Sequence, residues 1–285
     1  MIEHARRALL ENPYMPQLCR IVASTPQTED TMLFKVRFED HEYAETFEHK
    51  PGQFMQLSVI GAGECPISIS SSPTRRGTVD LCIRKAGRVT SAFHALGQNA
   101  LFGLRGPYGN GYPVEIMEGN NLLIVAGGLG MAPLRSLLWY ALDNRHHFNE
   151  VVLMYGARDE HDFLFKGELL SLMGRKDVKT FLAVENDTEG TWQGERGFVT
   201  DLFSRVDLDP DRTYAAICGP PVMYRFVIDK LLERNYSKGR ILMSLERKMK
   251  CGIGKCVHCS VGFKYTCMDG PIFTYWDAIN MREII

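Results

Sequence analysis

The chain has 285 residues, 45% of them hydrophobic and 24% charged, and its 33 Lys+Arg against 34 Asp+Glu leave a formal net charge of -1. Such a chain is long enough for two domains of ordinary size plus an appendage, with the composition of a soluble globular protein. Its charge balance argues against a nucleic-acid or membrane-surface partner, since either favours a strongly basic chain.

Glu3, His4, Arg6 and Arg7 interrupt Met1 to Leu10, which removes the apolar core a signal peptide needs, and no apolar run approaches the length of a bilayer span. A cytoplasmic location is therefore expected, with Cys19, Cys65, Cys82 and Cys218 as buried thiols rather than disulfides. Pro13 and Pro16 predict that residues 1–16 form an extended arm, either a frayed end or a strap on a partner subunit. Residues 17–117 carry short strand signals. Thr31 to Phe38 alternates with Met32, Phe34, Val36 and Phe38 on one face, as do Val79, Leu81 and Ile83. Gln53 to Val59, Pro66 to Ser70 and Leu101 to Arg105 complete the set, punctuated by Gly52, Gly77, Gly87 and Gly97. Many short strands of this kind predict a small antiparallel β-barrel.

The rhythm changes at Glu115 to Asn120. Residues 118–244 alternate buried-strand runs (Leu122 to Ala126, Val151 to Tyr155, Val178 to Val184, Tyr214 to Cys218, Ile241 to Ser244) with helical repeats. The helices are expected over Pro133 to Asn144, near Glu168 to Met173, near Val199 to Phe203 and over Val222 to Glu233. This alternation predicts an α/β domain with a parallel sheet. Residues 245–285 are too short and loop-rich to hold a core unaided, and are expected to form a separate small unit stapled by whatever its cysteines bind.

Several segments have the chemistry of sites. Cys65-Pro66-Ile67-Ser68-Ile69-Ser70 places hydroxyls at alternate strand positions, and Arg84 to Ser91 adds cations, a glycine turn and Thr90 as the expected N-cap of a helix through Leu96. A helix N-terminus beside arginine suits a diphosphate. A serine-rich edge strand and a solvated charge run are the alternative. Gly127-Gly128-Leu129-Gly130-Met131-Ala132-Pro133 lies where a buried strand meets a helix, so it is either a dinucleotide-binding turn or a tight turn without ligand. Two more loops close such strands, Gly156-Ala157-Arg158 and Cys218-Gly219-Pro220-Pro221. The second leads toward Met223 and reads either as a nicotinamide floor or as a core thiol before a helix. Cys251, Cys256, Cys259 and Cys267 form a Cys-x4-Cys-x2-Cys-x7-Cys run whose first spacings are those of a 2Fe-2S loop, with Gly252 and Gly254 letting the backbone wrap its sulfurs. Zinc usually brings two short Cys-x2-Cys knuckles, and this chain has one. His258 reads as a neighbour, not a ligand.

In this order, with Gly106-Pro107-Tyr108-Gly109 between them, the motifs resemble the ferredoxin-NADP reductase superfamily across nearly the whole chain. Glu246 to Cys251 together with Asp269 to Phe273 is similar to the flavin subunits of sulfhydrogenase-type hydrogenases. Anaerobic sulfite reductase and the dihydroorotate dehydrogenase electron-transfer subunit have comparable arrangements. The resemblance implies an FAD-binding barrel, with Ser68 near flavin N5, Ile67 on the ring, Pro66 and Ile83 beside it, and Gly87, Val89 and Thr90 at the diphosphate. Arg84 is the candidate clamp, because Cys65 stands where most of the superfamily has arginine. NAD or NADP is expected at Gly127, Gly128, Gly130, Met131, Ala132, Pro133, Arg158, Cys218, Gly219, Pro220 and Met223, with Ser68 and Cys218 flanking the hydride path. The implied function is an electron-transfer subunit within a hetero-oligomer, serving iron-sulfur or hydrogenase/reductase partner subunits. A cofactor-binding redox sensor and a zinc-containing scaffold are the alternatives. Lysines along the cysteine segment, Lys255 and Lys264 among them, are expected to steer an acidic partner onto it.

Overall fold

Alternation of apolar and polar residues builds the first half of the molecule, as a period of two requires. In the computed structural model, which describes residues 12–281, six strands form one antiparallel sheet in the order β4-β3-β6-β1-β2-β5. They are β1 (Gln17–Pro26), β2 (Thr31–Phe38), β3 (Phe54–Val59), β4 (Gly63–Ser68), β5 (Val79–Arg84) and β6 (Leu101–Tyr108). A bridge between Ile69 and Leu81 joins the two outer strands and closes the sheet on itself. Ile21, Phe34, Val36, Met55, Leu57, Leu81 and Leu104 fill the interior. Helix α1 (His41–Thr46) starts at Asp40, whose carboxylate accepts from the Tyr43 N–H, and α2 (Arg88–His94) covers one end of the barrel.

Two expectations for this half change. The described end of the arm, from Asn12, makes a turn closed by the Met15 N–H on the Asn12 carbonyl instead of an extended strap. Thr90 is the third residue of α2, not its cap. Its hydroxyl accepts from the N–H groups of Ala86 and Gly87, both at 3.0 Å, so it ties the turn from inside the helix. The first eleven positions of the arm and the last four of the C-terminal segment lie outside the described residues.

The second half holds α3 (Val114–Met117), β7 (Asn121–Gly127), α4 (Met131–Asp143), β8 (Val151–Ala157), α5 (Lys166–Met173), β9 (Lys179–Val184), β10 (Glu195–Arg196), β11 (Thr213–Cys218), α6 (Pro221–Glu233) and β12 (Ile241–Ser244). In β7, Leu122, Ile124 and Ala126 pack with Leu134, Leu137 and Leu138 of α4, while Leu123 and Val125 pack with Val227, Ile228 and Leu231 of α6. Burial on both faces is why this strand is apolar throughout rather than alternating. The helix expected near Val199 to Phe203 forms as a 3-10 helix over Val199–Arg205. Arg234 donates to the Phe203 and Val206 carbonyls at 2.7 and 2.9 Å, so those acceptors are taken at the point where another turn would use them. No helix among the described residues is long and apolar enough to cross a membrane.

The C-terminal segment does not stand apart. After a hairpin of β13 (Ser260–Val261) and β14 (Lys264–Tyr265), β15 (Ile272–Thr274) pairs antiparallel with β12, giving the sheet order β10-β9-β8-β7-β11-β12-β15. Helix α7 (Tyr275–Ile279) follows, capped by the Thr274 hydroxyl. The two halves are also joined by buried Arg135 of α4, which donates to Asp80 and the Ser70 carbonyl of the barrel and to Glu168 of α5.

Candidate functional site

The cysteine run folds into a tight loop because Gly252 and Gly254 adopt φ values of +77° and +72°, a region open to glycine. The turns aim main-chain donors at sulfur. Ile253 and Cys256 N–H groups lie 3.5 and 3.3 Å from the Cys251 Sγ, and the Gly254 N–H lies 3.1 Å from the Cys267 Sγ. Burial opposes ionisation of Cys251, but those N–H groups outweigh it and bring the thiol down to about 7. Cys267, more deeply enclosed and next to Cys259, is pushed up to about 12. All four are free thiols, and Cys259 and Cys267 share a small apolar cluster with Phe54 of β3. Thr266, beside Cys267, has a wholly buried hydroxyl without a partner among the described residues. Four cysteines in one loop, two of their sulfurs facing amide donors, next to an orphaned hydroxyl, fit an anionic iron-sulfur group.

Arg105 fixes this loop to the barrel, and nothing in the sequence pattern singled it out. From β6 its buried guanidinium forks onto Glu64 at 2.9 and 2.7 Å and donates to the Cys251 carbonyl at 2.6 Å. It also reaches the Tyr108 hydroxyl at 3.2 Å, and that hydroxyl donates to the Pro13 carbonyl at 2.7 Å. Asn110 clamps the far end, donating to the Asp269 and Ile272 carbonyls and accepting from the Ile272 N–H. The motif Gly106 to Gly109 leads into Asn110, which is the one signal that pointed to this region.

Of the barrel residues expected at the flavin, Pro66, Ile67 and Ser68 lie on β4, whose side chains alternate between two sides. Glu64, Pro66 and Ser68 stand opposite Ser58, Gln56 and Phe54 of β3, on the side that carries the cysteine loop. Cys65 and Ile67 pack against the barrel cluster with Val89. A cavity of about 290 Å³ is lined by Gly87, Val89 and Thr90, three of the residues expected at the diphosphate, together with Ala62, Gly63, Glu64, Cys65, Ala86 and Arg88. Its volume and its glycine-and-arginine lining fit part of a dinucleotide. Arg84 is exposed at the end of β5 and does not line it; Arg88 does, its guanidinium leaning over Gly63. Ile83 is buried in the barrel core. Burial pushes the Cys65 thiol up to about 11.

At the carboxyl ends of β7, β8 and β11 the expected loops converge. Gly128 faces open space, and its carbonyl accepts from the Tyr155 hydroxyl at 2.9 Å. Gly127, Gly130 and Gly219 have a different task. A side chain on Gly127 would meet the Met223 sulfur at 2.5 Å, one on Gly219 the same sulfur at 2.8 Å, and one on Gly130 the Gly219 nitrogen at 2.7 Å. These glycines let the first and last loops interlock, with Pro220 at the cap of α6. Met131, Ala132 and Pro133 are buried in the first turn of α4. Cys218 is enclosed, its sulfur on the Ser244 carbonyl, and burial raises its thiol to about 12, so it stays neutral. Arg158 is exposed and pairs with Asp162 at 3.3 Å.

Comparison with known proteins matches three family models along the chain. Residues 18–112 match an oxidoreductase FAD-binding domain, residues 124–229 an oxidoreductase NAD-binding domain, and residues 246–278 the iron-sulfur cluster binding domain of dihydroorotate dehydrogenase B. The sulfhydrogenase 2 subunit gamma of Pyrococcus furiosus is 48% identical over 96% of this chain and 100% of its own length. A probable dihydroorotate dehydrogenase B (NAD(+)) electron transfer subunit of Pyrococcus abyssi is 35% identical over 81% of this chain and 82% of its own. Among solved structures, an NADH-dependent reduced ferredoxin-NADP oxidoreductase shares the fold, with a TM-score of 0.71 over 92% of this chain and 91% of that one at 21% identity. The chain belongs to the family of sulfhydrogenase gamma and dihydroorotate dehydrogenase B electron-transfer subunits, flavin- and nicotinamide-binding oxidoreductase chains with an iron-sulfur domain.

Proposed function

We propose that this chain exchanges hydride between NAD(P)H and FAD and passes single electrons through a 2Fe-2S cluster to or from a partner subunit of hydrogenase or reductase type. The observation that carries the reading is the position of β3 and β4, with the cavity of Cys65 and Gly87 at one side and the cysteine loop against the other. When bound, the flavin converts the two-electron chemistry of nicotinamide into the one-electron chemistry of the cluster. The chain's residues align and enclose these groups. Ser68, half-buried at the end of β4, is the proposed hydrogen-bond partner for flavin N5, and the neutral Cys218 thiol borders the nicotinamide above the rigid Gly219-Pro220 turn. Arg105 and Asn110 hold the cysteine loop against the barrel.

The Cys-x4-Cys-x2-Cys-x7-Cys spacing and the match of residues 246–278 to an iron-sulfur cluster binding domain support iron over a zinc scaffold. Eight free cysteines support a reducing compartment, and we place the chain in the cytoplasm. Steering of the partner falls to Lys248, Lys250 and Lys255, because Lys264 is paired with Asp277 at 2.9 Å. Anaerobic addition of NADH to the purified chain is expected to bleach the flavin band and raise the EPR signal of a reduced 2Fe-2S cluster. A colourless, zinc-containing preparation would sink the reading.

NAD is the preferred nicotinamide. The His161 N–H and the Thr188 hydroxyl hold the Asp159 carboxyl below its usual range, and Asp162 neutralises Arg158, so a 2'-phosphate would meet carboxylates. Catalytic efficiency with NADH is expected to exceed that with NADPH by about tenfold, and Arg158→Ala to change the ratio by less than about threefold. An NADPH preference that vanishes in the variant would reverse the assignment.

A further inference from the structure

Gln56 is the one side chain of the outer face of β3 that ordinary packing does not explain. Its inward neighbours, Met55 and Leu57, lie in the barrel core, and Phe54 packs with Cys259 and Cys267. Between them the Gln56 carboxamide is fully buried, with neither Nε2 nor Oε1 partnered among the described residues. Its cross-strand neighbour Arg105 spends its donors on Glu64, Tyr108, the Pro13 carbonyl and the carbonyls of Lys250 and Cys251. A buried amide without a partner costs free energy that leucine or methionine would avoid. The cost is met if an acceptor arrives.

The amide faces the cysteine loop. A side chain on Gly252 would lie 3.1 Å from the Gln56 Cγ and 3.1 Å from its Nε2, so the carboxamide rests on the backbone between the first two cysteines. The main-chain N–H groups of that loop already aim at sulfur. From β3, the Gln56 carboxamide adds an unpartnered polar donor beside that loop, as the Thr266 hydroxyl does next to Cys267. Gln56 also stands opposite Pro66 of β4 in the ladder, next in sequence to Cys65, which lines the cavity.

We propose that the Gln56 carboxamide donates to a sulfur of the iron-sulfur group held by the loop and thereby sets its reduction potential, so that Gln56 is a positioning residue for electron transfer. The proposal rests on the function given above. A donor to sulfur favours the more negative, reduced state and raises the potential, and its loss lowers it.

The experiment compares wild type with Gln56→Leu, which fills the same space without a donor. Iron content and the visible spectrum are measured first, then a potentiometric titration followed by EPR. The ratio of reduced to oxidised cluster at a fixed solution potential is expected to fall about tenfold in Gln56→Leu, the worth of one charge-assisted hydrogen bond. The flavin midpoint should not move, and the iron-free variant should melt no lower than wild type, since it has shed an orphaned amide. If Gln56→Leu takes up less iron, Gln56→Met, which keeps the side-chain length and lacks the donor, carries the same comparison. An unchanged cluster potential at full iron content would overturn the role of Gln56 and leave the proposed function standing. Wild-type protein without any iron signal would overturn that function itself.

Discussion

Arg105→Ala is expected to cost about 3–5 kcal/mol of stability and to strip most of the iron from the chain. The magnitude follows from what the guanidinium does in its buried position. It neutralises Glu64 through two parallel bonds and satisfies the Cys251 carbonyl, and removal of one partner of such a buried network is of that order. Glu64 is partly exposed and can regain water, so the larger penalty falls on the loop carbonyls left enclosed without a donor. Arg105→Lys should recover little, because an ammonium cannot fork onto a carboxylate while reaching a carbonyl behind it. Denaturation midpoint and iron per chain are the readouts. A variant that keeps full iron and lies within about 1 kcal/mol of wild type would show that the loop holds itself.

Gly130→Ala is expected to cost about 3 kcal/mol or more and to abolish productive nicotinamide binding. Gly130 has φ -60° and ψ -16°, which any residue adopts, so the backbone raises no objection to alanine. Space does. The added carbon would overlap the Cys218 carbonyl and sit 2.7 Å from the Gly219 nitrogen. Both belong to the main chain at the end of β11, whose last residue pairs with β7 at Ala126↔Cys218, so the contact cannot yield without unzipping the strand ends. Gly128→Ala is the control. Its side chain would enter open space, and the φ of +50° there costs alanine about 1–2 kcal/mol. Melting temperature and NADH affinity should separate the two variants, and equal behaviour would mean that loop interlocking does not matter.

The Gly130 result bears on how far the sequence can be read. Glycines 127 and 130 signal close approach, and the approach is real, but what comes close is Met223 and the backbone of Cys218; only Gly128 is left open. The longer strands and helices were legible because runs such as β2, β5, β7 and α4 keep their pattern over several residues, whereas the short β10, β13, β14 and β15 were not read. β1 was not, since a bulge between Ile21 and Ala23 breaks its alternation and its last residues are exposed. The cysteine loop was legible from spacing alone. Its supports were not: Arg105 meets Cys251 across 146 positions and Asn110 meets Ile272 across 162, and the acceptors are main-chain carbonyls that any residue offers. Arg84 and Arg88 lie in one basic run, and only the change from strand to helix between them decides which reaches the cavity.

The pairing of β15 with β12 also bears on how the chain is made. Synthesis delivers residues from the N-terminus, and domains generally fold as they emerge. The edge of β12, with Leu242, Met243 and Ser244, stays open until Ile272 to Thr274 leave the ribosome, by which point all four cysteines have already appeared. An open edge is a template for wrong partners. The same stretch of chain therefore covers the sheet edge and, through the Asn110 clamp, closes the sulfur loop, so both await residues 269–274 in the nascent protein.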